Sequence, residues 1–217
     1  MRRIFFTIAI LLFSWNVFSQ GIQFEIGSWK EVLQKAKQEN KLIFVDLYTT
    51  WCGPCKKMAA ETFPQQAVGD YFNKNFVNYK IDAEKGEGPE LAGKYEVSAY
   101  PTLVFVNAAG ELVYKFMGVR TADKLIAEGE KAVRLYALAP SIAAMEKEYE
   151  QGKRGKVFLG EYYALLKESG AGGGIVLNEY LKCLSDEELL LEENVSNIGN
   201  ISIFDPVLFD RLVKGIK

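Results

Sequence analysis

The chain has 217 residues, with 26 basic and 28 acidic side chains, a formal net charge of −2 and no histidine. That balance creates no field to attract nucleic acid, so no nucleic-acid partner is expected. Three cysteines are too few for a disulfide-stapled scaffold.

The first twenty residues stand apart. Arg2 and Arg3 precede an apolar run from Ile4 to Phe13, broken only by Thr7, and Val17-Phe18-Ser19 follow. This is the pattern of a secretory signal cut after Ser19 or Gln20, so residues 1–20 are set apart from the fold. A membrane anchor is the competing reading, but the run is shorter than the roughly 20 residues a bilayer span needs. No stable membrane insertion is expected after signal cleavage. A periplasmic or secreted protein is expected, in a compartment where thiols tend to be oxidised.

Ile22 to Ile26 predicts a short strand. Ser28, with Glu31 three residues on, makes a capping-box signature. Trp29, Val32, Leu33 and Ala36 fall on one helical face, and Asn40 is the stop. Leu42 to Val45 is a continuous apolar run, as expected of a strand buried on both faces. Cys55 to Phe72 has helical composition, with Pro64 as a kink or break. Phe76 to Ile81 reads as a strand, Glu84 to Gly88 as a charged loop, and Pro89 to Tyr95 as a short helix with Pro in its first turn. Thr102 to Val106 is another buried strand, and Ala108-Ala109-Gly110 turns it into Leu112 to Phe116 as a hairpin. Thr121 caps a helix through Leu125, Ile126 and Val133. The succession predicts an α/β domain over residues 21–139, a mixed central sheet flanked by helices.

Pro140 marks a change of character, and residues 140–217 read as an all-helical extension. Ile142, Met145 and Tyr149 lie at helical spacing, as do Phe158, Tyr162 and Leu165, then Leu177, Tyr180, Leu181 and Leu184. Gly170 to Gly174 breaks the helical pattern, and Ser185 with Glu188 makes a second capping box. Cys183 falls within an apolar stripe, which predicts a buried, inert thiol.

The chemistry is concentrated in Trp51-Cys52-Gly53-Pro54-Cys55-Lys56, after a buried strand and at the opening of a helix. Cysteines at i and i+3 share one face of a first helical turn, so their sulfurs can close a small disulfide ring. Cys52 sits at the helix N-terminus, where unpaired N–H groups favour a thiolate. It is the expected nucleophile, with its sulfur left open by Gly53 and its turn stiffened by Pro54. Cys55, deeper in the helix, is expected to resolve the mixed disulfide. Two other readings compete. Half of a zinc site would need carboxylates or a second chain, since there is no histidine and only Cys183 remains. A purely structural bridge would contribute little, because the loop it closes is tiny. The exchange reading needs no metal and no cofactor.

The string Val45-Asp46-Leu47-Tyr48-Thr49-Thr50-Trp51-Cys52-Gly53-Pro54-Cys55-Lys56 and the later Val97-Ser98-Ala99-Tyr100-Pro101-Thr102 resemble thioredoxin-family proteins. Gly110-Glu111 and Gly118 fall where that family has its hairpin turn and a late glycine. The resemblance covers roughly residues 22–138 and implies the thioredoxin-like fold. It implies that Pro101 is a cis-proline beside the catalytic pair and that the Tyr100 backbone pairs with an extended substrate. It implies that Asp46 is a buried acid able to take the proton of Cys55, and that Trp51 flanks the nucleophile. Tyr48-Thr49-Thr50 departs from the commoner aromatic-small-acidic lead-in. The Asp-Leu-Tyr start and Glu61-Thr62-Phe63 look more like secreted reductase domains of the disulfide-interchange type.

The expected activity is thiol–disulfide exchange with exported protein substrates, in the reducing direction, fed by an upstream thiol electron donor. An oxidase or isomerase is the alternative within that class. A binding module, whose helical tail engages a partner, is the alternative outside it.

Overall fold

In the computed structural model, which describes residues 21–170, 172–198 and 205–215, five strands form one sheet. They are β1 (Phe24–Glu25), β2 (Leu42–Tyr48), β3 (Phe76–Asp82), β4 (Thr102–Val106) and β5 (Leu112–Met117), in the spatial order β1-β3-β2-β4-β5. β1, β3 and β2 run parallel, β4 runs antiparallel to β2, and β5 antiparallel to β4. This is the mixed sheet expected of the thioredoxin-like fold. The signal sequence expected at residues 1–20 lies outside the described residues.

Helix α1 (Trp29–Glu39) starts on the predicted capping box. The Ser28 N–H donates to Glu31 Oε2 at 2.7 Å, and the Glu31 N–H donates to Ser28 Oγ. It ends at Asn40 in the left-handed conformation, a role asparagine tolerates better than most residues. The stretch predicted as one kinked helix is three pieces: α2 (Gly53–Lys57), a π-turn (Met58–Thr62) and α3 (Gln66–Asn75). The Phe63 N–H reaches back to the Met58 carbonyl, and the chain breaks at Pro64, which has no N–H to continue the ladder. α4 (Gly88–Lys94) begins at a position only glycine can fill, since a Cβ on Gly88 would meet the Asp82 carbonyl oxygen at 1.9 Å.

β2 separates two cores. Ile43, Val45 and Leu47 face Trp29, Val32 and Ala36 of α1, Leu91 of α4 and Tyr95 just after it, and the matching rows of β3 and β4. Phe44 faces the other way, into rings from Phe24, Phe63, Phe72 and Phe105; its ring centroid is 4.7 Å from that of Phe72 and 5.2 Å from that of Phe105. Period-two alternation puts Asp46 on the same side as Phe44.

The chain divides into two compact units between Ile126 and Ala127. α5 (Ala122–Glu150) runs unbroken through Pro140, the point at which the sequence suggests a change. Proline removes one N–H, but its φ is compatible with a helix, and the strong helix formers Ala137-Leu138-Ala139 and Ala143-Ala144 carry the helix across. Val133, expected on its apolar face, is exposed.

The second unit continues with α6 (Lys156–Ser169), α7 (Gly174–Lys182), α8 (Asp186–Leu189), α9 (Glu192–Ile198) and α10 (Pro206–Gly215). Its core joins Phe158, Tyr162, Leu177, Leu181, Leu184 and Leu208, among others. Leu166 is buried rather than the expected Leu165, one step round the helix. The Ser185–Glu188 capping box forms at α8. Of the predicted Gly170–Gly174 break, Gly170, Gly172 and Gly173 have positive φ, and Ala171 lies outside the described residues. Cys183 corrects the expectation of a buried thiol: it is exposed at the end of α7. Leu177, Leu181 and Leu184 hold the inward face, and Cys183, two positions after Leu181, is turned off it. Among the described residues, no helix is long and apolar enough to cross a membrane.

Phe44→Ala should lower the stability of the first unit by about 3–5 kcal/mol in urea unfolding. Val157→Ala, at a position 73% exposed, should stay within about 0.5 kcal/mol. A Phe44→Ala loss below about 1 kcal/mol would contradict the aromatic packing described.

Candidate active site

The site stands at the carboxyl end of β2. The Ala83 N–H donates to the Tyr48 carbonyl at 2.8 Å and holds that end to the loop after β3. Thr49-Thr50-Trp51 then turns the chain, and the Cys52 N–H donates to the Thr49 carbonyl at 3.2 Å. Cys52 is the N-cap of α2 in extended conformation, with Gly53 and Pro54 as the first helical residues. Proline costs nothing there, because the first N–H groups of a helix have no internal partner.

Cys52 and Cys55 are joined by a disulfide, with Cα atoms 5.3 Å apart. The Cys55 backbone N–H donates to Cys52 Sγ at 3.0 Å. The sequence expectation of an open Cys52 sulfur is not what the closed ring presents: Cys52 is 3% exposed and Cys55 5%. The ring folds under the turn that carries it, and the accessible rim is Trp51, 65% exposed, with Gly53 and Pro54.

Trp51 is held in two ways. Its Nε1–H points at the Glu84 carboxylate, with the oxygens at 3.0 and 3.1 Å, and its ring meets Tyr100 edge-on at 5.9 Å. The Tyr100–Pro101 peptide bond is cis, and Pro101 is buried. Thr102 follows at once and pairs with Leu47, which brings this segment to the end of β2 that carries the cysteines. The Pro101 carbonyl accepts from the Gly118 N–H at 2.9 Å; Gly118 has φ +88°, where a side chain would be strained.

Asp46 is 5% exposed, and its Oδ1 has no hydrogen-bond partner. Burial raises its pKa to about 7, and the positive charge of Lys80 opposes that rise. Lys80 is its register partner on parallel β3. Asp46, Thr49, Cys55, Lys56, Phe63 and Lys80 help line an open pocket of about 560 Å³. Cys55 and the buried acid therefore line one cavity.

The eight residues singled out in the sequence thus fall at the carboxyl end of β2 or on segments brought to it. Three more belong with them. Glu84 orients Trp51 from a loop 33 residues away, and no local pattern marks it. Lys80 is an ordinary strand lysine until the parallel register sets it opposite Asp46. Thr49 is visible in the sequence only as a departure from the usual lead-in.

The family model described as Thioredoxin matches residues 22–131. Thioredoxin H4 of Arabidopsis thaliana is 38% identical over 95 residues, which are 44% of this chain and 75% of that protein. A protein disulfide-isomerase of Datisca glomerata is 31% identical over 88 residues, 41% of this chain but 17% of that protein, so this chain spans under a fifth of its length. A solved structure from Bacteroides thetaiotaomicron, described as a candidate disulphide-isomerase, is 50% identical with a TM-score of 0.49, covering 52% of this chain and 94% of that one. With the family match extending across half of the chain, on top of the sheet order and the Cys52–Cys55 bridge, this chain belongs to the thioredoxin family.

Proposed function

We propose that the protein is a thiol–disulfide oxidoreductase that reduces disulfides in exported proteins. The observation that carries this reading is the Cys52–Cys55 disulfide with the Cys55 N–H aimed at Cys52 Sγ. When the bond is open, that N–H faces the sulfur and supports its anionic form, because a charged acceptor strengthens the hydrogen bond.

The Cys52 thiolate attacks a substrate disulfide. One substrate sulfur leaves as a thiolate and a mixed disulfide forms on Cys52. Cys55 then loses its proton and attacks Cys52 Sγ. The internal disulfide closes, and the second substrate sulfur leaves. Asp46 is the base for this second step: with a pKa of about 7 it is poised to take or return a proton near neutral pH. Trp51, Gly53, Pro54 and the Tyr100–Pro101 backbone form the docking rim, where an extended substrate segment pairs with the Tyr100 main chain.

The reducing direction rests on the Gly-Pro pair between the cysteines, which resembles reducing members of the family. It requires an upstream thiol electron donor, since an oxidising compartment leaves the pair closed. Export rests on the leader at residues 1–20, read as a cleaved signal.

Cys52→Ser should reduce the dithiothreitol-driven reduction of insulin disulfides to the uncatalysed rate; full activity in that variant rules out the mechanism. Cys55→Ser should accumulate mixed disulfides at Cys52, because nothing resolves them. The captured proteins should be exported and cysteine-containing, and recovery of cytosolic proteins alone from intact cells contradicts the proposed location.

Asp46 has a second consequence. Its folded pKa lies above its unfolded value of about 3.8, so the native state binds more protons in between, and stability falls as pH rises from about 4 to about 7. Asp46→Asn should therefore raise the Tm at pH 8 and leave it nearly unchanged at about pH 4. The gain is at most about 4 kcal/mol for a gap of about three pKa units. The same variant should slow exchange at pH 7 by at least about tenfold. An unchanged Tm at pH 8 would mean that the carboxylate is not desolvated.

A further inference from the structure

Glu61-Thr62-Phe63 closes the π-turn that follows the cysteine helix. The Met58 N–H still donates to the Cys55 carbonyl, so the turn grows directly out of α2. The Phe63 N–H then reaches back five residues to the Met58 carbonyl at 3.0 Å. An i→i+5 bond takes in one residue more than an α-turn, and turns the side chains after it by about 100°. Neighbouring residues thereby find different buried partners. Phe63 enters the rings of Phe24 and Phe44. Thr62, 5% exposed, donates its hydroxyl to the Arg120 carbonyl at 2.9 Å, across 58 positions of sequence.

Arg120 ends a short loop that is closed on itself. Its Nη1–H groups point to the Met117 and Val119 carbonyls, both at 3.2 Å, and its guanidinium lies 4.6 Å from the centre of the Phe116 ring. The same loop holds the other side of the docking rim. The Gly118 N–H donates to the Pro101 carbonyl at 2.9 Å, and Met117 is the register partner of Thr102. A continuous path of bonds therefore runs from Cys55 through Met58 and Thr62 to Arg120, and from Gly118 to Pro101. Valine would fill the space of Thr62 without making this link.

We propose that Thr62 is a positioning residue for substrate docking. Through the Arg120 carbonyl it ties the helix that carries the cysteines to the loop that holds Pro101, and so sets the spacing between the two sides of the rim. This rests on the docking mode proposed above and adds a residue that lies outside the rim. A protein segment that pairs with the Tyr100 main chain while its sulfur meets Cys52 spans both sides and feels that spacing. A small disulfide with no peptide backbone does not.

Reduction of insulin by the full-length protein with excess dithiothreitol gives KM and kcat, and stopped-flow mixing of the reduced protein with 5,5′-dithiobis(2-nitrobenzoate) gives the rate for a small disulfide. Thr62→Val should raise the insulin KM about fivefold, the size expected of one buried hydrogen bond, with kcat and the small-disulfide rate each within about twofold, the pattern of lost binding rather than lost chemistry. Thr62→Ser keeps the hydroxyl and should stay within about twofold in all three. Val32→Ala, in the core on the other face of β2, lowers stability away from the rim and should leave the insulin KM within about twofold. An unchanged KM in Thr62→Val, an equal rise in Thr62→Ser or Val32→Ala, or an equal loss with the small disulfide overturns the positioning role while the exchange mechanism stands. Hydrogen exchange of the Gly118 amide reads the tie without any activity: it should speed up about fivefold in Thr62→Val and not in Thr62→Ser, and an unchanged rate in Thr62→Val overturns the tie. A wild-type protein that reduces neither disulfide overturns the exchange reading and the docking role together.

Discussion

One strand buried on both faces governs this molecule. β2 is the middle of the sheet, and six of its seven residues are buried. Such a strand has little freedom in register, because a one-residue slip would exchange the Phe44 row for the Ile43-Val45-Leu47 row. Whatever stands at its carboxyl end is therefore fixed in space to the accuracy of a packed core. The ends of strands in an α/β sheet are where rigid scaffold gives way to loops able to carry chemistry. Here that end carries Asp46, the Thr49 turn and the cysteine pair.

The same rigidity explains the electrostatics. Alternation along β2 puts a carboxyl group in line with Phe44, whose neighbours are aromatic rings. Water cannot reach that carboxyl freely, and burial costs the charged form more than the neutral one. Lys80 offsets part of this from the adjacent strand. The result is an acid shifted to where proton exchange with a thiol is feasible. The cysteine pair is treated differently: Cys52 Sγ accepts from the Cys55 backbone N–H at the start of a helix, which favours negative charge. The buried acid and the cysteine pair thus sit in physically distinct environments within one small region.

The helical unit obeys the same local rules. Its cores and caps follow from helical spacing and from the Ser185–Glu188 pair. Close approach matters between its helices: a Cβ on Gly160 would meet the Tyr180 ring at 3.0 Å. Pro140 and Cys183 show how a local signal can mislead. A proline within strong helix formers did not end α5, and a cysteine next to an apolar stripe faced outward because its angular position, rather than its neighbourhood in sequence, decides burial.

By itself, the sequence determined the fold class, the α1 and α8 caps, the buried strands, the β4–β5 hairpin and the cysteine pair. All of these are written in short-range patterns: spacing, capping residues, turn residues and a four-residue motif. Only the tertiary structure decided that Lys80 stands opposite Asp46, that Glu84 holds Trp51, that both cysteines are sealed in the closed ring and that Thr49 shares a pocket with Cys55. Each of these depends on strand register or loop packing between segments far apart along the chain, and no local spacing rule encodes such distances.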